Sequence, residues 1–236
     1  MPHPSVRLRR TVLRTVPLLK FDLSIIERSR PAYLVGIDEA GRGPMAGPVT
    51  AAAAFIPPRA YPFLTEVNDS KKLSEKKRGI LLARMRASGV RFGFGFAAPR
   101  EIDEVNILNA TFRAMARAAG RLAEGLGAGP SEILVLVDGP HKIRNFSFRQ
   151  ETVVGGDGKS LAIAAASIFA KVIRDRWMAD LDRRWPGYGF AGHKGYGTKA
   201  HMKTLNSLGP CPEHRLSYAP VRNALRPAGC PLMRPA

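Results

Sequence analysis

A chain of 236 residues, 45% hydrophobic and 24% charged, can bury one sizeable core with appendages. Its charge is lopsided: 37 Lys and Arg stand against 19 Asp and Glu, a net +18. That excess favours an anionic partner, nucleic acid before a membrane surface, although an Arg-rich composition alone yields part of it. Cys211 and Cys230 flank prolines with no CxxC spacing, which argues against a disulfide framework and suits a reducing cytosol. No run is apolar and long enough to predict a transmembrane helix. The N-terminal stretch lacks the apolar middle of a secretory signal.

In chain order, residues 1–32 carry Arg7, Arg9, Arg10, Arg14, Arg28 and Arg30 and read as a basic, disordered extension. Tyr33 to Asp38 is a short apolar run ending in acids and glycines, a buried strand meeting a turn. Val49 to Ile56 reads as a second strand. Ser74 to Ser88 predicts a helix, with Ser74 as N-cap and Gly89 as stop. Val90, Phe92, Phe94 and Phe96 alternate with Arg91, Gly93, Gly95 and Ala97, the period of a third strand. Pro99 to Leu126 is helical in spacing. Ile133 to Val137 is the strongest strand signal and ends in Asp138; Glu151 to Val154 is a short further strand. Leu161 to Trp185 predicts a long helix, and Lys199 to Leu208 a short one. The order implies an α/β fold: a mixed β-sheet flanked by helices.

Sites in such sheets gather at strand ends, and two strands here end in acids. Asp38 and Glu39 can share a site only where the strand stops and the backbone turns, which Ala40 to Pro44 allows. Asp175 stands at the end of the helical stripe Leu161, Ala165, Ile168, Val172; it is either held near the core for a purpose or paired with Lys171 at i,i+4. Acids converging without His or Cys suit Mg²⁺ or Mn²⁺, and two such ions roughly 3.5–4 Å apart serve phosphodiester cleavage.

Gly36-Ile-Asp-Glu-Ala-Gly-Arg-Gly-Pro-Met-Ala-Gly-Pro48 resembles the opening signature of the ribonuclease HII family. Asn68 to Ser74, Leu136 to Gly139, Ala164 to Asp175, Gly192 to Thr198 with His201, His214-Arg215 and Ala219 to Val221 resemble its later blocks, in family order. The resemblance implies a ribonuclease-H-like sheet with a helical C-terminal extension over residues 33–222, followed by a flexible tail at 223–236. It implies Asp38, Glu39, Asp138 and Asp175 as catalytic acids, with Asp38, Glu39 and Asp138 holding divalent metal, Mn²⁺ or Mg²⁺. It implies a monomeric cytoplasmic endonuclease cutting the RNA strand of RNA–DNA hybrids, and cutting 5′ to single ribonucleotides in duplex DNA, leaving 3′-hydroxyl and 5′-phosphate ends.

Gly41, Arg42 and Gly43 are then the loop that reads the 2′-hydroxyl, the group that distinguishes RNA from DNA. Ser70 and Lys71 are implied to hold a phosphate, and Tyr196 to pack on a deoxyribose at the RNA–DNA junction. Three positions depart from the family. Gly155 stands where a Lys is usual, so that a phosphate contact is missing or moved to Lys159; Leu216 and Tyr218 replace a basic residue and Phe. His193, His201, Cys211 and His214 match no zinc spacing and read as packing and hydrogen-bonding groups. Rival readings are another two-metal nuclease on the same fold, such as a Holliday-junction resolvase, and a non-catalytic basic nucleic-acid binder. The Gly-Arg-Gly loop opposes the first and the full set of acids the second.

Overall fold

The computed structural model describes residues 16–68 and 70–225. Five strands form one sheet: β1 (Tyr33–Ala40), β2 (Val49–Phe55), β3 (Arg91–Ala97), β4 (Ile133–Asp138) and β5 (Arg149–Val153), in the spatial order β3-β2-β1-β4-β5. β1, β2 and β3 pair antiparallel, as short connections allow. β4 and β5 add parallel to β1, each after a crossover. The sheet is therefore mixed, as expected.

Among the described residues, seven α-helices follow the chain: α1 (Leu19–Ser29), α2 (Glu75–Ala87), α3 (Pro99–Leu126), α4 (Leu161–Arg184), α5 (Phe190–His193), α6 (Lys199–Leu208) and α7 (Ala219–Ala224). Ser74 caps α2, accepting from Lys77 N, and Ser160 caps α4, accepting from Ile163 N. α3 is two segments joined at Asn106 (φ 67°), whose side chain accepts from Asn109 N and restarts the helix.

Strand alternation sorts the two faces of the sheet. Val35 and Ile37 of β1 and Val135 and Val137 of β4 pack with Phe112, Met115 and Leu122 of α3. Leu34, Leu134 and Leu136 face the other way, onto Ile163 of α4. Gly36 lies on that second face, where a Cβ would stand 2.1 Å from the carbonyl carbon of Ala162. Only glycine lets the start of α4 rest directly on β1.

The extension expected to be disordered is in part folded. α1 buries Leu19, Asp22 and Ile25 against the core, and Asp22 accepts from Ala162 N at 2.9 Å. Lys20, Glu27 and Arg28, which break up its apolar residues in sequence, fall on the exposed side of the helix, while Asp22 turns inward. The rest of that extension, residues 1–15, lies outside the described residues, as does the tail from 226 onward. The C-terminal part builds its own small core from Ala46, Met178, Leu181, Trp185, Tyr188, Phe190 and Cys211. A bridge between Ala46 and His214 ties it to the loop after β1.

Candidate active site

Asp38 continues the face of Leu34 and Gly36, and Asp138 that of Leu134 and Leu136. The parallel register pairs Ile37 with Val137, so the two acids leave adjacent strands side by side, one step further on. Asp157 joins them from the short 3₁₀ turn Gly156–Gly158, between β5 and α4. One carboxylate oxygen from each of Asp38, Asp138 and Asp157 lies within 4.8 Å of the others. The turn is tied to the cluster by Gly156 N, which donates to Asp138 Oδ1 at 2.6 Å.

Asp38, Glu39 and Asp138 resist ionisation. Burial pushes the Asp38 carboxyl well above its ordinary range, and the charges of Glu39 and Asp138 push it further, against hydrogen bonds from Ser167 and Glu39 N. Burial also raises Glu39, opposed by Arg42, whose Nη1 lies 3.3 Å from Glu39 Oε1. Burial raises Asp138, opposed by the Gly156 N–H and reinforced by Asp157. Lys71 Nζ sits 3.2 Å from Asp157 Oδ2. A cluster whose members raise one another is relieved by a bound cation, and a set of hard oxygen donors fits a divalent one.

The acids open into a cleft of about 230 Å³ that Gly41, Arg42, Gly43, Ser70, Lys71 and Tyr196 also line. Nine of the ten residues singled out from the sequence thus share one site. Gly41 has φ +95°, and a Cβ there would lie 2.0 Å from Arg174 Nε, so this position demands glycine. Ser70 Oγ is 2.9 Å from Ser167 Oγ. Tyr196 is 50% exposed, and its ring lies beside Gly43. Lys159, the candidate to replace the family's phosphate-binding Lys, donates instead to Val154 O at 2.7 Å.

The tenth residue, Asp175, is a correction. It does not line the cleft; its carboxylate is buried between Arg78 Nη2 at 3.2 Å and Lys171 Nζ at 2.5 Å. Helical spacing put it on an inward stripe, but that stripe faces α2, where Arg78 neutralises it. The i,i+4 pairing with Lys171 is the arrangement found. Asp157 was missed as a site residue because it belongs to no periodic element. The available cue was a lone carboxylate in Gly155-Gly-Asp-Gly, between a strand and a buried helix start.

The histidines form a hydrogen-bonded stack. His201 Nε2 meets His214 Nε2 at 3.0 Å, Cys211 Sγ meets His214 Nδ1 at 3.2 Å, and His193 stacks on His201 at 4.1 Å. Burial lowers the pKa of His214 to about 4, so it is neutral at physiological pH.

A family model described as Ribonuclease HII matches residues 35–221. A protein named Ribonuclease HII from Oleidesulfovibrio alaskensis is 47% identical over 217 residues, covering 84% of this chain and 82% of that one. Its namesake from Syntrophotalea carbinolica is 49% identical over 199 residues, covering 84% and 91%. Among solved structures, the ribonuclease H2 of Pyrococcus horikoshii aligns with a TM-score of 0.64 at 24% identity, covering 81% of this chain and 96% of that one. Bst-RNase HIII in complex with Mn²⁺ aligns with a TM-score of 0.67 at 20% identity, covering 82% and 69%. At such identities the structural likenesses speak to the fold.

Proposed function

The chain belongs to the ribonuclease HII family, and on that premise we propose that it cuts 5′ to a ribonucleotide, including a single one embedded in duplex DNA, using two divalent cations. Membership itself makes the protein an endonuclease of the ribonuclease H type, acting on RNA–DNA hybrids with a divalent metal. The observation that supports the metal reading best is the convergence of Asp38, Asp138 and Asp157 within 4.8 Å. Glu39, next to Asp38 and partnered by Arg42, completes the proposed set.

Divalent cations bound there would make a water nucleophilic near neutral pH and offset charge on the leaving oxygen. Mn²⁺ and Mg²⁺ are both proposed, since oxygen donors alone admit either. The chain's own groups do the rest. Gly156 N–H fixes the orientation of Asp138. The cleft lining of Lys71 and Arg42 is placed to meet the phosphate backbone, and the exposed Tyr196 ring to pack on the sugar that follows the ribonucleotide. The buried free thiol of Cys211 is consistent with the reducing cytoplasm we propose, where the enzyme would act as a monomer.

The test is a DNA duplex carrying one ribonucleotide, incubated with Mg²⁺, with Mn²⁺ and with EDTA. A single cut on the 5′ side is expected with either metal and none with EDTA. Asp138→Asn keeps the side-chain shape but removes the charge, so it should bind the duplex and fail to cut it. Wild-type turnover of that variant in Mg²⁺ would overturn the assignment.

A further inference from the structure

Arg215 is fully buried, and its hydrogen-bond partners are backbone carbonyls and the Tyr218 hydroxyl. Its neighbours in the structure are backbone carbonyls of the loop that follows β1. Nη2 donates to Gly41 O at 2.6 Å and to Gly47 O at 2.9 Å; Nε donates to Gly47 O at 3.0 Å; Nη1 donates to Arg42 O at 2.8 Å. The last donor goes to the hydroxyl of Tyr218 at 3.0 Å, and that hydroxyl in turn donates to Arg42 O at 2.7 Å. All five guanidinium donors are used, which offsets much of the cost of burying the charge, and Asp103 attracts it from beyond ion-pair distance. The Tyr218 ring also lies 5.3 Å from the guanidinium carbon.

The clamp has a direction. In a trans peptide the C=O and the following N–H point opposite ways. With the carbonyls of Gly41 and Arg42 drawn onto Arg215, the N–H groups of Arg42 and Gly43 point away from it. Those residues line the cleft, and among the described residues neither N–H has a protein partner. The face offered to substrate is thus rich in donors and suits an acceptor oxygen, such as the ribose 2′-oxygen.

We propose that Arg215 and Tyr218 are positioning residues that orient the Gly41–Arg42–Gly43 loop for ribose recognition, and that the Tyr218 hydroxyl sharpens discrimination of ribo- from deoxyribonucleotide. The proposal rests on the reading of this cleft as a ribonucleotide site. Tyr218 stands where the family usually carries Phe, so its hydroxyl is an addition made by this chain. Arg42 O accepts from two donors at once, which leaves that carbonyl little freedom to swing toward the cleft.

The experiment measures affinity of the full chain, in Ca²⁺ and with the duplex verified uncut, for an all-deoxy duplex and for the same duplex with one ribonucleotide. Tyr218→Phe should lower the ribo-over-deoxy affinity ratio about three- to tenfold, the scale of one hydrogen bond, and leave all-deoxy affinity unchanged. Arg215→Lys should lower the ratio further, since an ammonium cannot span three carbonyls; Tyr218→Phe keeps the test open if that variant misfolds. Equal losses on both duplexes, or an unchanged ratio in both variants, overturn the clamp while the ribonucleotide reading stands. A wild type that does not discriminate overturns that reading, and the clamp with it.

Discussion

Asp157 and Asp175 are both buried aspartates near α4, yet their surroundings assign them opposite work. Asp157 shares oxygen-to-oxygen distances under 4.8 Å with two other acids, with Lys71 at 3.2 Å on its outer side, an arrangement that a divalent cation would relieve. Asp175 is neutralised by Arg78 and Lys171 and so contributes to the fold. Asp157→Asn is expected to weaken Mn²⁺ binding by calorimetry and to abolish cleavage while the folded protein persists. Asp175→Asn should cost about 3 kcal/mol of stability, by leaving Arg78 buried without its partner, and retain most turnover per folded molecule. Swapped outcomes would restore Asp175 to the catalytic set. Asp38 and Asp138 were legible because strand ends mark themselves by where an apolar run stops. Asp175 misled because periodicity says which way a side chain points and not what waits there.

At the scale of elements, α4 is the frame on which the site hangs. Its first turn rests on Gly36 and donates a hydrogen bond to Asp22 of α1, and its middle supplies Ser167 beside Asp38. Burial raises the pKa of Asp22 to about 7, only partly opposed by hydrogen bonds from Ser160, Ala162 and Leu161. Among the described residues, its other oxygen, Oδ1, is buried with no partner. The folded state therefore holds this proton more tightly than the unfolded chain, whose Asp titrates near 3.9. The stability it contributes is full below that value and is lost as pH rises to about 7. Asp22→Asn keeps the acceptor for Ala162 N and cannot ionise. Its stability advantage over wild type in urea unfolding should thus be larger at pH 8 than at pH 5, on the order of 2 kcal/mol; a pH-independent difference would place the Asp22 proton elsewhere. The boundaries of α3 and α6 were readable from Pro, Gly and spacing. α1 was not, because an amphipathic helix dominated by charge shows its buried side only once α4 is there to cover it.

At the scale of the whole molecule, the net +18 makes hybrid binding an ion-release process. Affinity should fall with salt with a log–log slope of about −0.7 to −0.9 per phosphate neutralised. α1 belongs to the core, so the basic N-terminal arm is tested by removing residues 1–15 and sparing Leu19 and Ile25. That deletion takes away Arg7, Arg9, Arg10 and Arg14. Titration of binding against KCl should show a flatter slope, by about 0.7–0.9 for each phosphate that the arm no longer neutralises. An unchanged slope would put the arm outside the interface.

The parallel pairing of β1 with β4 joins positions about a hundred residues apart, Ile37 with Val137. Closing so long a loop is entropically unfavourable and becomes worthwhile only when the sheet and its helices consolidate together. Asp38 emerges early from the ribosome and waits for Asp138, then for Asp157, and the clamp waits longer still for Arg215. A nascent chain that stops short of Asp157 therefore lacks part of the proposed metal site. Cation affinity would then be a gauge of global folding, because the proposed site draws its three acids from β1, β4 and the turn before α4.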